Sequence, residues 1–86
     1  MDTKDLVLNI AVNLDRISKF MINGNEKRVK LFLADNEFYI KEIEKKKLSV
    51  EFEKTFDLFR KGMVGFKDSE DFLNWANILT HRAKLA

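Results

Sequence analysis

Apolar residues recur along this chain with the three-to-four spacing of amphipathic helices, and no stretch of useful length alternates with period two. The first apolar stripe is Leu6, Ile10, Leu14, Ile17 and Met21, preceded by the capping candidates Asp2 and Thr3 and stopped by Asn23-Gly24. The second is Val29, Phe32, Leu33, Tyr39, Ile40 and Ile43, opening at Asn25-Glu26 and closing on basic residues suited to a helix C-terminus. The third is Leu48, Phe52, Thr55, Phe56, Phe59 and Met63, with Ser49 as its cap and Gly62 as its expected stop. The fourth is Phe72, Trp75, Ala76, Leu79 and Ala83, behind the acidic opening Asp68-Ser69-Glu70-Asp71.

The spacing predicts helices over about 3–23, 25–46, 49–61 and 68–85, joined by short connections that force consecutive helices to run antiparallel. The expected fold is all-α, a single-domain up-down-up-down four-helix bundle spanning residues 1–86. With 86 residues there is material for one core and little to spare for an internal active site.

Several apolar groups fall off the inward stripes when side chains are placed at about 100° per residue. Leu8 and Val12 lie one turn apart on the first helix, Leu31 and Phe38 two turns apart on the second, and Ile78 and Leu85 two turns apart on the fourth. Either these stripes wrap further into the core, or they form a second apolar surface that a protein partner or another copy of the chain covers. The first is the ordinary outcome for off-stripe apolar residues; on the second, Leu8, Val12, Leu31, Phe38, Ile78 and Leu85 are the candidate partner-binding residues of a small regulatory or interaction module.

Asn36 interrupts the second stripe at its centre, between Phe32, Leu33, Tyr39 and Ile40. An amide there requires a hydrogen bond. Thr55, Tyr39 and Thr80 are the expected mates within the bundle, or a backbone carbonyl; a ligand contact or an amide pair across a dimer is the functional alternative.

Charge adds one further candidate. Lysine and arginine exceed the acids by two, too small a balance to give the whole molecule a steering field. The positive charge is concentrated at Lys27, Lys30, Lys41 and Lys45, extended by Lys46 and Lys47, and this side of the second helix is the alternative surface, for a nucleic acid or another polyanion. Glu26 before Lys30 and Glu37 before Lys41 stand at ion-pair spacing and are expected to neutralise part of it. No helix-turn-helix, arginine-rich arm, RNA-binding aromatic motif or zinc finger accompanies the lysines.

The chain contains no cysteine, so disulfides and thiolate chemistry are excluded. Acids sit at its start where a signal peptide needs basic residues, and polar residues interrupt the run from Leu6 to Ile22, so no membrane segment is expected and a cytoplasmic setting is. No metal, cofactor or catalytic constellation is legible: Glu42 and Glu44, like Glu51 and Glu53, point apart on a helix, and no Glu-x-x-His pair exists. His81 with Lys84 echoes the His-to-Lys spacing of histidine phosphotransfer domains, but the glycine that normally follows the lysine is lacking, and His81 lies too near Ala86 for the flanking helix such domains supply. A non-enzymatic protein is expected.

Overall fold

A computed structural model describes all residues from Met1 to Ala86. Four helices account for most of them: α1 Thr3–Ile22, α2 Glu26–Glu44, α3 Val50–Met63 and α4 Ser69–Arg82, with a short 3-10 turn at Ala83–Leu85. There are no strands, and the protein is an all-α four-helix bundle.

Each helix starts on a side chain that accepts from an otherwise unpaired backbone N–H of the first turn. Asp2 accepts from Asp5 N, Asn25 from Arg28 N, Ser49 from Phe52 N and Asp68 from Asp71 N. At α4 the cap is reciprocal, because Asp71 in turn accepts from the backbone N–H of Asp68 and also of Lys67. Gly24, with φ of 72°, is the only residue with positive φ, and it lets the chain leave α1 and enter α2 within three residues.

Gly62 has a different role from the expected stop. It lies inside α3, which continues to Met63. A Cβ built on it would lie 3.3 Å from Trp75 Nε1, so the missing side chain is what lets the indole of α4 seat against α3. The end of α4 also differs, since the helix tightens into the 3-10 turn at Ala83 rather than running unbroken to Leu85. α2 ends two residues before the expected Lys46, with Lys45 as its C-cap.

α1 is the central element. α2 and α4 both pack along it, while the backbone of α3 comes close only to α4 and the terminal turn. Burial follows this arrangement: α1 encloses Leu6, Val7, Ile10, Ala11, Asn13, Leu14, Ile17 and Ser18, far more than one narrow stripe. The small side chains Ala11, Ala76 and Ala83 are buried on α1, α4 and the terminal turn, where bulk would hold backbones apart. Phe52, Phe56 and Phe59 of α3 reach into the space its backbone leaves open, and Phe59 packs on Trp75 with ring centroids 5.4 Å apart. Ser49 ties the two ends of this half together, donating its hydroxyl to the Leu85 carbonyl at 2.6 Å.

Candidate interaction surface

α2 buries Asn36, Ile40 and Ile43 fully, and Val29, Phe32, Leu33 and Tyr39 in part. Its opposite side carries Leu31 and Phe38, which are 53% and 59% exposed. Two large apolar side chains on the solvent face of one helix, two turns apart, form a stripe that the fold itself does not cover. Ala34 lies between them and is exposed, and Lys27, Asp35 and Lys45 flank them. The Phe38 ring meets the Tyr39 ring edge-on at 5.7 Å and lines a depression together with Met1, Leu6, Tyr39, Glu42 and Lys46.

The other off-stripe residues divide. Val12 and Ile78 are exposed, at 47% and 40%. Leu8 and Leu85 are not free surface: both are half-buried and packed against the core, because α1 is flanked on two sides and the terminal turn folds back over the bundle. The apolar run they were expected to form with Val12 and Ile78 is therefore broken, and Leu31 with Phe38 is the pair from the expected surface that stays exposed as a pair.

Leu58 and Val50 on α3 are also exposed and were not singled out from the sequence. A wheel of α3 gives the signal for Leu58, which falls off the Phe52, Phe56 and Phe59 stripe on the side of Gly62.

Asn36 donates its amide to the Ile10 carbonyl of α1 at 3.3 Å, and its own oxygen is buried with no hydrogen-bond partner. None of the expected side-chain mates pairs with it: Tyr39 makes no hydrogen bond to the amide, and the two threonines are occupied elsewhere. Thr55 and Thr80 donate to the carbonyls of Glu51 and Ala76 one turn back in their own helices, at 3.5 and 2.7 Å. The amide is thus a link between α1 and α2 within the bundle, of the backbone-carbonyl kind.

Lys27, Lys30 and Lys41 are exposed, and the expected pairs Glu26–Lys30 and Glu37–Lys41 do not form. The ion pairs present are Asp15–Lys19 at 2.8 Å, Glu42–Lys45 at 3.3 Å and Glu44–Arg60 at 3.1 Å. Lys46 and Lys47 line a groove between α2 and α3 together with Arg60 and the acids Glu44, Glu53 and Asp57, three cations against three carboxylates, so their charge is offset locally. The basic side is therefore split between three uncompensated lysines and a mixed-charge groove.

One arrangement between α1 and α2 had no signature in the linear pattern. The rings of Phe20 and Phe32 stack at 5.7 Å with planes 8° apart, Arg28 lies over Phe20 at 5.8 Å and Arg16 over Phe32 at 5.5 Å. Each guanidinium covers an aromatic ring that would otherwise face water.

No group of His, Cys, Asp and Glu is placed to hold a metal ion, and no helix is long and apolar enough to cross a membrane. His81 is exposed in the last turn of α4. No family model matches the chain, and no curated protein or solved structure shows significant similarity to it.

Proposed function

We propose that the protein is a non-catalytic protein–protein interaction module whose working surface is the outer face of α2. The observation that carries this reading is the exposure of Leu31 and Phe38 on the side of α2 directly away from its buried residues. Exposed large apolar residues are ordinary when single, but a paired stripe on a helix that already buries its other face lowers the free energy of the molecule when it meets a complementary surface. Helix faces of this type engage partners through anchors spaced by one or two turns, which is the Leu31 to Phe38 spacing.

The test is the double variant Leu31→Lys, Phe38→Lys. Both side chains are more than half exposed, so the variant is expected to keep the helical content of the wild type and most of its stability. It is expected to lose association, read as solution mass by light scattering and as recovery of bound protein on an immobilised chain. Association unchanged by the double variant would overturn the reading.

The three uncompensated lysines on α2, Lys27, Lys30 and Lys41, support a second reading, in which the same helix meets a nucleic acid or another polyanion. Salt separates the two. Contact with phosphates weakens steeply between low and physiological salt, whereas an apolar interface changes little.

A further inference from the structure

The outer face of α2 is self-complementary about its midpoint. Leu31 and Phe38 are equidistant from the point between Ala34 and Asp35, and so, farther out, are Lys27 and Glu42. With a rise of about 1.5 Å per residue, the apolar pair lies about 5 Å to either side of that point and the charged pair about 11 Å. All four lie on the side away from Asn36, Ile40 and Ile43; Leu31, Phe38 and Lys27 are exposed and Glu42 is partly so. At the midpoint stands Ala34, exposed and small enough to admit a second helix at close range.

A two-fold contact between identical molecules requires this kind of surface, because residue i meets residue j and residue j meets residue i. We infer that the outer face of α2 docks a second copy of the same chain, with the two α2 helices antiparallel about a two-fold axis between Ala34 and Asp35. Leu31 of each copy then meets Phe38 of the other on both sides of the axis. Lys27 of each copy meets Glu42 of the other at both ends. The charges also fix the direction: a parallel, in-register pairing would place Lys27 against Lys27 and Glu42 against Glu42.

Glu42 already holds Lys45 within its own copy, and at an exposed ion pair that contact exchanges readily. An unfavourable term is like-charge repulsion, since Asp35 lies beside the axis and faces its own counterpart, and Lys45, one turn beyond Glu42 on the same exposed side, comes near Lys27 of the other copy. It limits affinity. So does size, because one helix per copy buries less than the roughly 1,200–2,000 Å² of a standard stable interface. The dimer is therefore weak and concentration-dependent. This inference rests on the reading of α2 as the working surface and names the occupant.

The absence of cysteine makes introduced thiols unambiguous probes. Under mild oxidation Ala34→Cys is expected to form a covalent dimer, and a mixture of Leu31→Cys and Phe38→Cys chains to give mainly the mixed dimer. Lys54→Cys, exposed on α3, is the control and stays uncoupled. By sedimentation, Lys27→Glu or Glu42→Lys alone weakens dimerisation by about tenfold, because each change turns both symmetry-related attractions into repulsions. The double reversal Lys27→Glu, Glu42→Lys restores it, and Asp35→Asn strengthens it.

Two results would overturn the pairing: a double reversal as weak as the single ones, or predominance of the Leu31-to-Leu31 and Phe38-to-Phe38 dimers. A wild type that remains monomeric at millimolar concentration would overturn it as well. That last outcome leaves the broader reading of α2 standing, which fails separately if an immobilised Leu31→Lys, Phe38→Lys chain retains the same proteins as the wild type.

Discussion

Asn36 is fully enclosed yet satisfies only half of its amide, donating to Ile10 O while its own oxygen has no donor. An orphaned buried acceptor costs about 1–3 kcal/mol relative to hydration. Asn36→Leu, close in volume and with nothing left unpaired on the side chain, is therefore expected to be neutral or to stabilise by up to about 1 kcal/mol, measured by urea unfolding. Asn36→Asp places an uncompensated charge in the same site and is expected to destabilise by about 3 kcal/mol or more. A large loss in Asn36→Leu would show that the Ile10 link outweighs the orphaned oxygen. The burial of Asn36 was legible because Phe32, Leu33, Tyr39 and Ile40 surround it at helical spacing. Its partner was not: Ile10 belongs to another helix, and a backbone carbonyl carries no sequence signal.

At the scale of the elements, the starts were readable and the ends less so. Asn25, Ser49 and Asp68 act as the caps their side chains announce, and of the two candidates before α1 the cap is Asp2. Ser49 has a second duty in holding the Leu85 carbonyl, a contact between distant parts of the chain that no local rule contains. Ser49→Ala is accordingly expected to cost more than the roughly 1 kcal/mol of an average cap, in urea unfolding. A loss well below that would show that the Leu85 contact contributes nothing.

The two helix-associated glycines are predicted to respond differently. Gly24 has nothing within 4 Å of a would-be Cβ, so Gly24→Ala costs only the strain of positive φ, about 1 kcal/mol. At Gly62 the gain in helix propensity, up to about 1 kcal/mol, is set against the displacement of Trp75. Trp75 is half-buried and able to shift outward, so Gly62→Ala is expected to be close to neutral in stability while changing the emission of the single tryptophan. Unchanged emission with a clear stability gain would mean that the indole does not rest on Gly62. The sequence marked Gly62 as a stop because glycine commonly ends helices, whereas the reason for this one is a neighbour on another helix.

For the whole molecule, the all-α class and helix count followed from periodicity, since four apolar stripes of this length have few ways to close. What periodicity does not carry is which helix is central. The position of α1 between α2 and α4 explains why Leu8 is drawn toward the core, and the return of the terminal turn explains the same for Leu85. α2, packed on α1 along one side, keeps the face bearing Leu31 and Phe38 exposed. The candidate surface was thus legible only in part, because exposure depends on neighbours that a single-helix wheel omits.

The outer face of α2 is proposed to associate, and with a second copy of itself. Sedimentation equilibrium over a concentration series reaching the millimolar range, run in parallel on the wild type and on Leu31→Lys, Phe38→Lys, reads that association as mass. A wild-type mass rising toward twice that of the 10.1 kDa chain, with the variant holding at one, is the expected result. Identical mass curves for the two proteins would mean that Leu31 and Phe38 take no part in self-association.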